Sequence, residues 1–98
     1  MAPDPIQFAA AVVRRRWAPA ILDALSERPC RYLDLHRQLA TVSQKVLTEH
    51  LRALERSGVL TRTSSADSPK VLYWLTPHGA ELHELIGQLR NWGAALNR

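Results

Sequence analysis

The 98-residue chain has a single cysteine, Cys30, so no disulfide can form within it and a reducing compartment is expected. No apolar stretch approaches the roughly 20 residues that a membrane-spanning helix needs. The first cluster of positive charge, residues 14–16, follows the first apolar run, whereas a secretory signal begins with its charges. We therefore expect a soluble, cytoplasmic protein.

The sequence also lacks the patterns that catalysis and metal binding require. It has four glycines and no glycine-rich loop that would cradle a phosphate. It shows no nucleophile motif and no pair of carboxylates at a catalytic spacing. Its histidines stand at positions 36, 50, 78 and 83, and no two lie three or four residues apart, the spacing that places two ligands on one helix face. We predict no enzymatic activity, no cofactor and no metal site.

Positive charge is in excess. Thirteen Lys and Arg against nine Asp and Glu give a formal net charge of +4, and the pI is about 10.0. This bias favours a polyanionic partner such as nucleic acid. A chain of this length makes one domain, and it buries only about 60–65% of its unfolded surface, so a partner subunit would enlarge a modest core.

Hydrophobic spacing predicts four helices before a hairpin. Helical periodicity begins after Pro5 and again near Pro19, which suits a first helical turn. A short third helix contains Tyr32, and the link at residues 40–42 has the length of the turn in a helix-turn-helix. Ser43 is expected to cap the fourth helix, and Gly58 to end it in the left-handed conformation.

Two β-rich runs, residues 59–63 and 71–76, flank a polar loop at residues 64–69. Thr76 followed by Pro77 then starts a final helix. The predicted fold is mainly α with a small β hairpin, a winged helix-turn-helix. We place the helix-turn-helix at about 31–57, the wing at about 59–76 and dimerisation helices at about 5–14 and 77–97.

The fourth helix is the most informative element. At about 100° per residue, Leu47, Leu51 and Leu54 cluster on one side. The opposite side carries charged and hydroxyl side chains, namely Lys45, Thr48, Glu49, Arg52 and Arg56. A helix with such an outer face, followed by a hairpin, is how a winged helix-turn-helix protein enters the major groove.

The chain resembles the HxlR-type transcriptional regulators, winged-helix proteins akin to the MarR group. The resemblance rests on four motifs in order: W-x-x-x-I-L from Trp17, R-Y-x-D-L from Arg31, S-Q-K-V-L-T with L-R-x-L-E from Ser43 onward to Gly58, and Y-x-L-T-x-x-G from Tyr73. It implies a homodimer joined through the terminal helices, with the fourth helix in the major groove.

The chain departs from the family pattern near its start. The family's cysteine before proline, which some members use to sense oxidants or electrophiles, is replaced by Asp4 before Pro5. Arg14 and Arg15 replace small residues, and Arg16 replaces a lysine. Cys30 is expected to be structural, with a regulatory thiol as the alternative.

We predict DNA contacts along the helix-turn-helix and the wing. Gln44 suits adenine and Lys45 suits guanine, whereas Arg52 is expected to meet the phosphate backbone. Glu49 either accepts from cytosine or, as we favour, orients Lys45 and Arg52. The full predicted set is Arg31, Ser43, Gln44, Lys45, Thr48, Glu49, Arg52, Arg62 and Lys70.

The terminal helices carry the predicted dimer interface, which consists of Ile6, Val13, Leu82, Leu85, Leu89, Trp92 and Leu96. His50 is expected to be a half-buried packing residue. Leu72 and Trp74 make both faces of a wing strand apolar, so we expect the N-terminal helix or a partner subunit to cover them. A small-molecule pocket at Trp74 is the alternative.

These observations predict a transcriptional regulator, a repressor in preference to an activator, that binds a pseudo-palindromic operator in double-stranded DNA as a homodimer. Two alternatives stay open: a winged-helix module that docks another protein, and a regulator that responds to a small molecule bound near Trp74.

Overall fold

The computed structural model of the protein describes residues 4–65 and 68–96. Four helices precede a two-stranded antiparallel hairpin, and one long helix follows it. In chain order the elements are α1 (Pro5–Val13), α2 (Ala18–Glu27), α3 (Tyr32–Gln38), α4 (Gln44–Arg56), β1 (Leu60–Ser65), β2 (Ser68–Leu75) and α5 (Pro77–Leu96). The predicted fold, a mainly helical chain with one hairpin, is confirmed.

Side-chain caps set the ends of the helices. The Asp4 carboxylate accepts a hydrogen bond from the backbone N–H of Ile6 at 3.0 Å, and Ser43 Oγ accepts from Val46 N–H at 3.1 Å. Gly58 follows α4 with φ 80°, which is the left-handed conformation expected of it. Thr76 Oγ1 accepts from the N–H of Gly79 at 3.0 Å and donates to the carbonyl of Gly58 at 2.6 Å, so it ties the start of α5 to the end of α4.

The strands of the wing are longer than the sequence predicted. Pairing runs from Leu60 opposite Leu75 to Ser65 opposite Ser68, with an irregular register between Thr63 and Ser65. The prediction of a loop over residues 64–69 is therefore wrong in extent, and its residues 66 and 67 lie outside the described residues. Hydroxyl-bearing side chains are typical of turns, but they also tolerate extended backbone when a partner strand supplies the hydrogen bonds.

An isolated β-bridge joins the helix-turn-helix to the wing. Cys30 N–H donates to the carbonyl of Tyr73 at 3.1 Å, and Tyr73 N–H donates to the carbonyl of Cys30 at 2.8 Å. The segment before α3 is thus held against β2 by two backbone hydrogen bonds.

The core draws on every helix and on the start of the hairpin. Its largest fully buried side chains are Ile21, Leu22, Leu35, Leu47, Leu51, Leu54 and Leu60. Val12 of α1 and Ile86 of α5 are also buried, which fastens both terminal helices to the body. No helix among residues 4–65 and 68–96 is long and apolar enough to cross a bilayer.

One of our two expectations for Trp74 was that the N-terminal helix would cover it. The structure does not meet this expectation. The side chain of Trp74 is 41% exposed, and its indole N–H donates to Thr63 Oγ1 across the hairpin at 2.9 Å. Alternation along β2 explains this position, because Tyr73 and Leu75 pack against the core and Trp74 therefore points to the opposite face. Coverage of this face by a partner subunit stays a prediction.

Candidate nucleic-acid interface

Helices α3 and α4 and the turn between them form a helix-turn-helix. Val42 is buried in the turn, and Nε2 of His36 lies 3.1 Å from its carbonyl oxygen. Because a carbonyl only accepts, Nε2 carries a proton in this contact. On the other side of Ser43, the hydroxyl of Tyr32 donates to the carbonyl of Gln44 at 3.0 Å. Side chains of α3 therefore hold the backbone where α4 begins.

Helix α4 presents two opposite faces. Leu47, Leu51 and Leu54 are buried, as the periodicity predicted. The outer face borders an open depression lined by Tyr32, Gln44, Lys45, Thr48, Glu49 and Arg52. Five of these six residues belong to the predicted DNA-binding set, so the structure brings the central part of that set onto one surface. Ser43 lies just before them, as the cap of the same helix.

The electrostatics of this surface favour an anion. Lys45 and Arg52 are exposed, and the amino end of α4 carries the positive end of its helix dipole. Glu49 is also exposed, and within the described chain no ion pair shorter than 4 Å joins it to Lys45 or Arg52. The expectation that Glu49 orients these two cations is not met in the free protein, because such exposed pairs gain little over hydration.

The two predicted arginines outside α4 already have acidic neighbours. Arg31 Nε lies 3.8 Å from the Asp34 carboxylate, which also accepts from the backbone N–H of Arg31 at 3.4 Å. Arg62 of β1 lies 3.6 Å from the carboxylate of Glu55, near the end of α4. Both guanidinium groups are at least half exposed, so each is held by a weak pair that a phosphate can replace. The sequence placed Lys70 beside the wing loop, whereas the structure places it within β2, where it is exposed.

Sequence reasoning did not include Tyr32 in the binding set. It placed Tyr32 only in the short third helix and in the R-Y-x-D-L motif, whereas the structure places it half-buried on the wall of the depression. An amphipathic tyrosine on the first helix of a helix-turn-helix was the available signal, because its hydroxyl needs a polar neighbour.

The basic run at residues 14–16 lies in the turn between α1 and α2, where all three arginines are exposed. The guanidinium of Arg16 lies 5.6 Å from the centre of the Trp17 ring. Burial, together with the nearby charge of Arg15, lowers the pKa of His50 on α4. His50 is half-buried as predicted, and its Nδ1 is a buried atom without a hydrogen-bond partner in the described structure.

Cys30 is buried beside the wing. Burial and the neighbouring Asp34 carboxylate raise the pKa of its thiol. A thiol that is buried and protonated is a poor nucleophile, which favours the structural interpretation.

Helices α1 and α5 line an apolar groove at the surface of the molecule. Its walls include six of the seven predicted interface residues, of which Val13 and Leu82 also pack partly against the core, and exposure is largest at Ile6 (63%) and Trp92 (66%). Its lining residues are Ile6, Ala9, Ala10, Val13, Leu82, Leu85, Gln88, Leu89 and Trp92. Leu96 is 68% exposed near the end of α5, outside this lining. Large apolar side chains in such number on one surface are typical of an interaction site.

Residues 12–98 match the model of the HxlR-like helix-turn-helix family. The chain belongs to this family. An uncharacterised HTH-type transcriptional regulator of Escherichia coli K12, YtfH, is 41% identical over 81 residues, a match that covers 82% of this chain and 64% of that protein. The resemblance drawn from the four motifs is therefore confirmed, and the chain spans just under two thirds of that relative's length.

Solved structures agree with the family. A protein described as a MarR-family transcriptional regulator of Enterococcus faecalis V583 superposes with a TM-score of 0.86 at 32% identity, covering 99% of this chain and 92% of that one. The reduced form of the regulator YodB from Bacillus subtilis gives a TM-score of 0.86 at 28% identity, covering 95% and 92%. The winged helix-turn-helix architecture of the HxlR-like chain is thus shared over nearly its whole length.

Proposed function

We propose that this HxlR-like chain is a sequence-specific, DNA-binding transcriptional regulator that acts as a homodimer on a pseudo-palindromic operator. In this proposal the helix-turn-helix at about 31–57 enters the major groove, and the wing at about 59–76 lies along the adjacent backbone. The terminal helices at about 5–14 and 77–97 join two copies.

The outer face of α4 is the observation that carries the proposal. Gln44, Lys45 and Arg52 are exposed around one depression, while the leucines of the same helix are buried, so the polar face is rigidly presented. Amide and ammonium groups match base edges in the major groove, and guanidinium groups match phosphates. A protein-docking surface would instead be expected to carry apolar anchors at its centre.

The apolar groove between α1 and α5 supports the homodimer. Leu85, Leu89 and Trp92 are each more than half exposed on the same helix. In a symmetric dimer, all three side chains of both subunits would be buried. Two recognition helices related by a dyad then reach successive major grooves about 34 Å apart, which requires a pseudo-palindromic site. Such a dimer blocks a promoter by occupancy alone, and we therefore propose repression.

Fluorescence anisotropy with a labelled mixed-sequence duplex tests the proposal. At low salt we expect saturable binding, and the logarithm of the affinity should fall linearly with the logarithm of salt concentration. The double variant Lys45→Gln with Arg52→Gln controls for the role of the α4 face. It should bind the duplex more weakly, and its affinity should depend less steeply on salt concentration. Absence of binding by the unmodified chain in dilute buffer would contradict the proposal.

A further inference from the structure

Two residues one turn apart on α3 reach the backbone on either side of the α4 cap. The Tyr32 hydroxyl donates to the carbonyl of Gln44 at 3.0 Å, and His36 Nε2 contacts the carbonyl of Val42 at 3.1 Å. The two rings stack, with centroids 6.2 Å apart and planes within 4°. Ser43 lies between Val42 and Gln44 in the chain. Its hydroxyl caps α4 by accepting a hydrogen bond from the backbone N–H of Val46.

This arrangement fixes where α4 starts relative to α3. The Tyr32 ring lies parallel to the His36 ring, and its hydroxyl already contacts the Gln44 carbonyl in the free protein. Tyr32 also lines the depression, next to Gln44 and Lys45. The carbonyl it holds belongs to Gln44 itself, one of the residues whose side chain would meet a base edge.

We propose that Tyr32 is a positioning residue for sequence readout. Its hydroxyl holds the first turn of α4 so that the side chains of Gln44 and Lys45 meet base edges in register. Hydrogen bonds to base edges depend on distance and direction, whereas attraction to phosphate depends mainly on charge. Tyr32 therefore sets the discrimination between duplexes and leaves non-specific affinity unchanged. This inference rests on the proposed function.

The variant Tyr32→Phe removes the hydroxyl and keeps the ring stack. Tyr73→Phe is the matched control: Tyr73 is also half-buried, it packs against the core, and its hydroxyl has no hydrogen-bond partner in the described part of the chain. A duplex selected from a random pool with the unmodified protein serves as the specific probe, and a mixed-sequence duplex serves as the non-specific one.

We expect Tyr32→Phe to lower the ratio of specific to non-specific affinity about three- to tenfold, the effect of one net hydrogen bond. Its affinity for the mixed-sequence duplex and the salt slope should not change. In the free protein, amide hydrogen exchange in the first turn of α4 should accelerate by a similar factor. Tyr73→Phe should leave the affinity ratio and the exchange rates as they are.

The outcomes separate the two proposals. If the unmodified protein binds no duplex, or binds all duplexes equally, the proposed function fails and the role of Tyr32 fails with it. If the unmodified protein discriminates and Tyr32→Phe keeps the full ratio, only the positioning role is overturned. Equal weakening on both duplexes together with a lower melting temperature would also overturn it, because a merely structural tyrosine has that effect.

Discussion

At the scale of single residues, Gly79 is the glycine with the least room for a side chain. A Cβ built there would overlap the carbonyl oxygen of Val59, so the first turn of α5 lies directly against the backbone that enters the hairpin. Thr76 caps the same turn through the N–H of Gly79. The junction between the wing and α5 therefore depends on the absence of a side chain.

Gly79→Ala is expected to lower the free energy of unfolding by about 1–3 kcal/mol, because the backbone of Val59 must move to admit the methyl group. Gly87→Ala is the control within the same helix, since nothing lies within 4 Å of its added Cβ. That variant should be neutral or stabilising by up to about 1 kcal/mol, through helix propensity alone. Urea unfolding at one protein concentration measures both; equal effects would show that Gly79 is not confined.

Lys45 and Arg52, two of the exposed cations of α4, are expected to differ in their contribution to DNA binding. Arg52→Ala should weaken all duplexes alike and reduce the salt slope by about one, as the loss of one phosphate contact does. Lys45→Ala should in addition relax sequence choice, by about tenfold or more at one base pair. Anisotropy titrations against the selected and mixed-sequence duplexes measure both, and a uniform effect of Lys45→Ala would refute the base contact.

At the scale of elements, a charged cluster joins α2 to α5. The Asp23 carboxylate accepts from Arg90 Nη2 at 2.8 Å and contacts His83 Nε2 at 2.9 Å. Partial burial raises the pKa of Asp23, but the hydrogen bonds and positive charges of Arg90 and His83 outweigh it and leave the pKa below its usual value. The cluster thus links the body of the helix-turn-helix to the long terminal helix.

This lowered pKa gives stability a defined dependence on pH. The carboxylate contributes stability above its unfolded pKa of about 4, and that contribution is lost as the pH falls through the lower folded value. Asp23→Asn should therefore destabilise the protein at pH 7 and flatten the loss of stability that occurs as the pH falls below the unfolded pKa of Asp23. Because the side chain of Asp23 is 43% exposed, the effect is screened by solvent and should be modest.

Glu81→Gln is the control for this prediction, since Glu81 is an exposed carboxylate of α5, the helix that carries His83 and Arg90, and has no ion pair among the described residues. Unfolding midpoints in urea at several pH values, at fixed protein concentration, make the comparison. An unchanged pH profile in Asp23→Asn would contradict the role of the cluster.

At the scale of the whole molecule, the two surfaces of the proposed function lie on different elements. The depression along α4 is polar and cationic, and the groove between α1 and α5 is apolar. The buried side chains of Val12 and Ile86 connect the elements of the groove to the core that carries α4. A dimer formed through the groove would therefore hold its two recognition helices in a fixed relation.

Leu89→Glu is expected to convert the proposed dimer to a monomer. In a symmetric interface each subunit would bury one new carboxylate that has no opposite charge to pair with. Leu89 is 52% exposed, so the fold of each subunit should survive. Leu33→Glu on α3, where the leucine is 60% exposed outside the groove, is the control and should keep the native mass. Sedimentation equilibrium distinguishes them, and an unchanged mass for Leu89→Glu would show that the groove does not join the subunits.

Local signals in the sequence determined the elements and the two faces of α4. Ser43 caps this helix, Gly58 ends it, and the period of its leucines identifies its inner side, because each of these effects acts within one or two helical turns. Five residues that line the depression followed from the same helical geometry. The order of helices and hairpin, and membership in the HxlR-like family, were predicted from the sequence as well.

Contacts between distant parts of the chain were decided only by the tertiary structure. The hydroxyl of Tyr32 reaches Gln44, twelve residues on, and Asp23 meets His83 and Arg90 from 60 and 67 residues away. The wing extends beyond its predicted strands because each strand supplies the other's hydrogen bonds, and residue propensities do not contain that information. Such partners are chosen by how the helices pack around a shared core, so they become visible only once the chain is folded.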